Sequence, residues 1–431
     1  MDWVQVIFFM IATVFVLLAG GVWIGVALGV TGSLILILNG YGLAPIATIF
    51  WTQTGNFVLV SIPLFVLMGE LIMSSGVSGK FYHSAAPWAR FVPGGLYSMN
   101  ILTSGAFSAV CGSSVATAAA VGKVALPELR KRGCNDTLSF GSLAAGGTLG
   151  ILIPPSTSLI LYGSIVNVNI AELFIAGIIP GLLLIAFFVT WTAFAAYRHK
   201  QKSPTLAIAV QRLSLWDSFS GLAPILILIG LIIGGIYAGF VTPTEAAALG
   251  VAGALIIGLT VGELDAKKIW TASVDSIVTT GMIMFIVLGA QILAYALART
   301  GASREVVTWI VDMGLQPWQV FTLIVILYLI LGCFIDAISI MVLTLPLLFP
   351  VISALGFDAI WFGIILTILI EIGLITPPVG LNLFIIQSVS GQNDAFGKVV
   401  RGAFPFVVIM MLTVVLFYFY PGIVTFLSAR L

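Results

Sequence analysis

Charge is scarce in this sequence. Of its 431 residues only 8% are Asp, Glu, Lys or Arg, and two are histidines. A soluble domain carries charge on roughly a quarter of its residues, so a soluble fold is excluded. The 17 basic and 16 acidic residues leave a net charge of +1, and no basic run exceeds Arg130-Lys131-Arg132. Nothing in that balance calls for nucleic acid as a partner. Cysteine is also rare: Cys111, Cys134 and Cys333 are odd in number and far apart, with no C-x-x-C spacing. Neither a disulfide framework nor a zinc site is expected, and the three read as packing residues. H-E-x-x-H and P-loop spacings are missing, and Ser113-Ser114 lacks an evident base, so the chain is not expected to be an enzyme. His83 and His199 fall in polar stretches and read as surface residues. The first residues lack a basic n-region and an A-x-A site, so they read as a retained helix rather than a signal peptide.

What remains is hydrocarbon. The chain is 60% hydrophobic with a mean hydropathy of +1.20. Its apolar stretches of about 17 to 25 residues suit spanning helices, and the alternating pattern of a membrane barrel is missing. The expected fold class is an all-α polytopic membrane protein spanning a lipid bilayer.

Two of the apolar stretches are interrupted. Gly141 to Gly163 contains Gly146-Gly147, Gly150 and Pro154-Pro155, and Glu371 to Ile386 contains Gly373 and Pro377-Pro378. Proline removes a backbone donor and clashes with the preceding turn, so each segment should form two half-helices with unwound backbone between them. Freed backbone groups in hydrocarbon cost several kcal/mol each and persist only where protein or a water-filled cavity satisfies them. Transporters place their ligands at such breaks. The broken helices are expected at about residues 138–163 and 360–386.

The two breaks belong to a longer pattern, with a repeat register of about 220 residues. Ala27 to Gly32 matches Ala248 to Gly253, Gly69 answers Gly289, Gly112 answers Gly332, and Leu126-Pro127 answers Leu345-Pro346. The charges decide the sense of the repeat, since Lys and Arg prefer cytoplasmic loops. Lys123 and Arg130 to Arg132 crowd a loop whose counterpart, Leu345 to Phe357, holds no base; conversely Val166 to Glu172 holds none, and its counterpart holds Lys398 and Arg401. The bias flips between equivalent loops, as an inverted repeat requires. The expected organisation is a first repeat over 1–197, a cytoplasmic linker at 198–218 with Arg198, Lys200, Lys202 and Arg212, and a second repeat over 219–431. Re-entrant hairpins are expected at about 98–124 and 318–350. The sum is ten crossings plus two hairpins with both termini outside, which requires residues 4–38 to split at Gly20-Gly21. Arg299 and Arg304 then face outward against the charge rule, partly offset by Glu305.

The segments AAGGTLGILIPPS (Ala144 to Ser156), GFVTPTEAAALG (Gly239 to Gly250) and GLITPPVGLN (Gly373 to Asn382) resemble the large membrane subunit of tripartite ATP-independent periplasmic (TRAP) transporters. The resemblance extends over nearly the whole chain. It implies an ion-transporter-like elevator fold in the bacterial inner membrane, and sodium-coupled import of a small carboxylate such as a dicarboxylate or a sugar acid like sialic acid. It also implies two partners, a small four-helix membrane subunit and a soluble periplasmic substrate-binding protein. A stand-alone proton- or sodium-coupled carboxylate carrier of related fold is the alternative.

Sodium is a hard cation that takes oxygen ligands, and unwound carbonyls with a few hydroxyls or one carboxylate supply them. Two symmetric sodium sites are expected. Ser113 and Thr117 of hairpin 1 face Gly146 and Pro154, while Gly332, Asp336 and Ser339 of hairpin 2 face Gly373, Thr376 and Pro377. Asp336 stands out because a carboxylate within an apolar hairpin needs a partner or a cation. Ser114, Thr148, Ser156, Asn382 and Glu371 are the candidates for touching substrate. Single Ser and Thr residues are equally at home packing helices and bonding back to carbonyls. Glu371 and Glu70 either pair structurally or hold a proton, and Glu245 reads as first-turn chemistry after Pro243. No Lys or Arg stands in the middle of either broken helix, so an anionic substrate is expected to be held by half-helix N-termini and bound cation.

Overall fold

The computed structural model describes residues 1–198, 215–392 and 394–430, and among these only helices and connecting turns occur. Most of the expected linker, including Lys200, Lys202 and Arg212, lies outside the described residues, as does His199. The first half comprises α1 (Trp3–Ala19), α2 (Ile24–Leu38), α3 (Ala44–Thr54), α4 (Ser61–Ser74), α5 (Val77–Ala85), α6 (Leu96–Cys111), α7 (Ser114–Lys131), α8 (Asp136–Leu152), α9 (Thr157–Val166) and α10 (Ile170–Arg198). The second comprises α11 (Leu215–Tyr237), α12 (Pro243–Thr260), α13 (Ala266–Arg299), α14 (Ala302–Asp312), α15 (Pro317–Gly332), α16 (Ala337–Ala354), α17 (Ala359–Leu374), α18 (Leu381–Ser390) and α19 (Phe396–Phe419). The order repeats. α11 and α12 stand for α1 and α2, α13 for α3 and α4 joined, α14 for α5, and α15 to α19 for α6 to α10.

The apolar pattern locates the long helices and misses the short ones. α1 and α2 separate at Gly20 and Gly21, the latter at φ +77. α3, α5 and α14 have 11, 9 and 11 residues. They are too short and too polar to register as spans. α13 runs 34 residues because its first turns, Ala-Lys-Lys-Ile-Trp, are polar and precede the apolar part. The hairpins are α6–α7 and α15–α16, and they extend beyond the expected 98–124 and 318–350 because α7 continues through Glu128 and Lys131.

Among the described residues eight helices are long and apolar enough to cross a bilayer, counting the α8–α9 unit as one. Its apolar window is 83% buried, more than that of any other span, so it forms the centre of the molecule. α6, α7 and α19 pack around α8, and α10 and α15 around α17. Outside this core α2 lies along α13 and α4 along α12, each pair joining the halves. Trp23, Trp51, Trp270, Trp309 and Trp318 are exposed at or near helix ends, where amphipathic rings sit at a membrane interface. Arg299, the base that offends the charge rule, is held over the rings of Tyr41 and Tyr295, and the Tyr41 hydroxyl donates to its carbonyl. At the end expected to be cytoplasmic, Lys398 of α19 pairs with Asp136 of α8 at 3.3 Å.

Candidate functional site

Each hairpin tip meets the break of its own half. In half one the tip is Gly112, at φ +59, and Ser113. A Cβ on Gly150 would stand 2.6 Å from the Ser113 carbonyl oxygen, so the α8 backbone touches the tip directly. The Thr157 hydroxyl, just past the break, donates to the Gly112 carbonyl at 3.0 Å. In half two a Cβ on Gly332 would stand 2.8 Å from Gly373 Cα. The Gly380 amide, past the second break, donates to the Cys333 carbonyl at 3.4 Å. Both Pro-Pro bonds, Pro154-Pro155 and Pro377-Pro378, are cis.

The result is four interrupted helices converging in two pairs. α6, α8, α15 and α17 end there with carbonyls forward, and α7, α9, α16 and α18 begin there with amides forward. Carbonyl ends favour cations and amide ends favour anions. Three of the four amide ends carry capping side chains. Ser113 accepts from the Ala116 amide, Ser156 from Leu159, and Asp336 from Ile338 and Ser339 at 3.1 Å each. α18 begins at Gly380 with no side-chain cap, beside exposed Pro377 and Pro378. The first break is closed by contrast: Pro154, Pro155 and Ser156 are buried, and Phe174, Ile175, Ile232 and Ile236 of α10 and α11 lie against the two prolines.

A second polar group lies between the halves, where α8 crosses α17. Glu371 is 1% exposed, and its Oε1 accepts from the Ile151 amide at 3.2 Å, with Ser114 and Thr148 close to its carboxyl and its Oε2 without a hydrogen-bond partner. Asn382 is fully buried, and its Nδ2 donates to Ser114 Oγ at 2.7 Å. Four of the five residues expected at the substrate thus converge, Ser114, Thr148, Glu371 and Asn382. The fifth, Ser156, stands apart as the α9 cap, its hydroxyl donating to the Ile151 carbonyl at 2.5 Å.

The residues expected at the cations divide. Ser113, Pro154, Gly332, Asp336, Ser339, Thr376 and Pro377 lie at tips or breaks. Gly146 does not: α8 continues unbroken through Leu152, so the interruption begins later than Gly146-Gly147. These glycines serve close packing instead, since Cβ atoms there would meet Ser104 at 2.6 Å and Ala118 at 2.7 Å. Gly373 likewise lies inside α17, and Thr117 one turn into α7, buried. Asp336 is exposed and caps α16. The Thr376 hydroxyl donates to the Ile372 carbonyl at 2.6 Å.

Glu245 closes a capping box with Thr242. Glu70 of α4 lies near Asp275 of α13 and near Cys111, beside the hairpin 1 tip. Sequence reasoning read Arg130 only as a topology charge, whereas its guanidinium donates to the Ser390 carbonyl at 2.7 Å, and it did not single out Asn100, which joins Tyr82 to Ser142. A lone amide within the apolar hairpin was the available signal for Asn100.

Comparison with known proteins identifies the family. The family model described as the tripartite ATP-independent periplasmic transporter, DctM component, matches residues 11–423. A C4-dicarboxylate TRAP transporter large permease protein of Pseudomonas aeruginosa is 33% identical, with 92% of each chain covered. A sialic acid TRAP transporter large permease protein of Vibrio cholerae is 32% identical, with 94% of each covered. Among solved structures, the Alcanivorax borkumensis YdaH transporter shares the fold with a TM-score of 0.65 at 15% identity, over 89% of each chain. This chain therefore belongs to the large permease (DctM) family of TRAP transporters, multi-pass transport proteins of the bacterial inner membrane rather than enzymes.

Proposed function

We propose that this chain is the permease of a sodium-coupled uptake system for a small organic carboxylate, a C4-dicarboxylate or a sugar acid such as sialic acid. The observation that carries this reading is the pairing of each hairpin tip with a broken helix, which brings carbonyl ends and amide ends together at two places. Sodium is held by the carbonyl ends with the hydroxyl oxygens of Ser113, Thr117, Ser339 and Thr376 and the Asp336 carboxylate; two or more ions fit the doubled arrangement. The substrate carboxylate is received at the uncapped start of α18, where free amides and the positive helix end face exposed Pro377 and Pro378. Ser114, Thr148, Asn382 and Glu371 stand behind that surface and Ser156 caps the closed break. The closed first break and open second break are what one end-state of an elevator motion looks like, with the core helices α6–α10 and α15–α19 displaced against α2, α4, α12 and α13.

A periplasmic substrate-binding protein delivers the substrate, and a small four-helix membrane subunit completes the permease. Their need is supported by the family and by the isethionate permease protein DctMQ of Oleidesulfovibrio alaskensis, of whose length this chain covers 64%. The test is uptake of a labelled carboxylate panel into proteoliposomes holding all three components, with and without an inward sodium gradient, and with each component left out in turn. Uptake that needs sodium and every component supports the reading; uptake indifferent to sodium or to the binding protein overturns it.

A further inference from the structure

We infer that the two hairpins differ in mobility: hairpin 1 is locked to the second broken helix, and hairpin 2 swings as a unit to open and close the site. The inference rests on the transport reading for its purpose but not for its observations. Hairpin 1 is tied to the rest of the core by side-chain hydrogen bonds along its length. Ser114 at its tip accepts from Asn382 at 2.7 Å and lies beside Glu371. The Gly112 carbonyl accepts from Thr157, Asn100 joins Tyr82 and Ser142, and Arg130 at the base donates to the Ser390 carbonyl.

The repeat makes the comparison residue by residue. α7 and α16 both have 18 residues with a proline at the fourteenth, Pro127 and Pro350, so the structure pairs Pro127 with Pro350 rather than with Pro346 as the sequence match had it, and Ala337 stands where Ser114 does and Ser353 where Arg130 does. α9 and α18 both have 10, so Ser158 stands where Asn382 does. From the equal placement of their N-caps Asn135 and Asp358, Thr148 stands where Glu371 does. The mirrored lock would need Ala337 as acceptor and Ser158 as donor, and alanine has no side-chain acceptor. Among the described residues hairpin 2 makes no side-chain hydrogen bond outside itself; at its tip only the 3.4 Å bond from Gly380 reaches the Cys333 carbonyl. Its bonds are internal. Tyr328 of α15 bonds Thr344 of α16, which holds the two arms together. Phe321, near its base, stacks on Tyr418 and packs on Trp361, giving an apolar footing about which the joined arms rotate. The tip residue Phe334 is 63% exposed. Packing without hydrogen bonds specifies a position less sharply than a satisfied polar network does.

The test is electron–electron distance measurement on spin-labelled full chain in lipid nanodiscs, without sodium or substrate, after replacing Cys111, Cys134 and Cys333. One pair links Val115 in hairpin 1 to Leu412, and the other links Phe334 in hairpin 2 to Leu182. The hairpin 2 distribution is expected to be about twofold broader than that of hairpin 1. Equal widths overturn the inference. Asn382→Ala should broaden the hairpin 1 distribution alone, and an unchanged width overturns the lock. The double variant Ala337→Ser with Ser158→Asn installs the mirrored lock, so it should narrow the hairpin 2 distribution and slow uptake; a width that stays broad overturns the cause assigned here. This variant adds polar groups as a bonded pair, so it carries the test if Asn382→Ala does not fold. Because the widths are read without sodium, they stand or fail independently of sodium coupling.

Discussion

Asp336 shows how one residue serves two purposes that substitution can separate. Its carboxylate caps α16 by accepting two amides, and its exposure leaves it available to a cation at the same tip. Asparagine caps a helix about as well as aspartate, whereas alanine costs about 1 kcal/mol. Asp336→Asn should therefore leave thermal unfolding in detergent unchanged while raising the sodium concentration for half-maximal uptake by about tenfold, the loss of one charged ligand being worth about 1.4 kcal/mol or more. An unchanged sodium dependence would show that Asp336 is a cap and nothing else. Gly332 gives a steric counterpart. A Cβ there collides with the Gly373 backbone at 2.8 Å, which cannot rotate away, so Gly332→Ala must push the hairpin 2 tip off the break. Uptake should fall by about tenfold or more while expression and helix content are kept, the barrier rising by about 1.4 kcal/mol or more. Wild-type uptake in that variant would mean the tip contact has no part in transport. Glu371 was legible as a carboxylate before a break, and Asn382 as an amide after one. That both turn to Ser114 of the other half was not, because a sequence does not say which helices cross.

At the scale of elements, the breaks were readable because proline acts locally. Pro154-Pro155 ends α8 and Pro377-Pro378 separates α17 from α18 within a few residues of the expected places. The glycines were misread at Gly146-Gly147, since glycine in a membrane helix marks close packing as readily as unwinding, and only the neighbouring backbone distinguishes the two. The short helices α3, α5 and α14 escaped notice because their stability comes from lying at the edge of the core rather than from an apolar run. The element-scale prediction follows from the prolines. Replacing both Pro154 and Pro155 with alanine restores two amide donors and removes the clash with the preceding turn, so α8 and α9 should join into one helix. Uptake should be lost, with helix content by circular dichroism equal to or slightly above that of the wild type. Retained uptake would show that the unwound stretch at the first break is dispensable.

For the whole molecule, we propose from the charges and the repeat an inverted arrangement in which equivalent positions face opposite sides. Lys131 closes α7 and Ala354 closes α16, both 18-residue second arms of hairpins. With the native cysteines removed, Lys131→Cys should react with an impermeant maleimide only from the cytoplasmic side, and Ala354→Cys only from the outside. Labelling of both from one side would make the repeat parallel and undo the topology. The charges bear on this topology because positive charge is sorted by the membrane itself. They do not carry the unequal exposure of the two breaks, which depends on where the core rests against α4 and α11.

The central claim is that two paired hairpin and break sites couple sodium to carboxylate movement. The most direct measurement sets an outward substrate gradient against an inward sodium gradient in proteoliposomes and finds the ratio at which net flux stops. The account predicts that the balancing substrate ratio rises at least as the square of the sodium ratio at zero membrane potential. A balance point that ignores sodium, or follows a proton gradient instead, would contradict it.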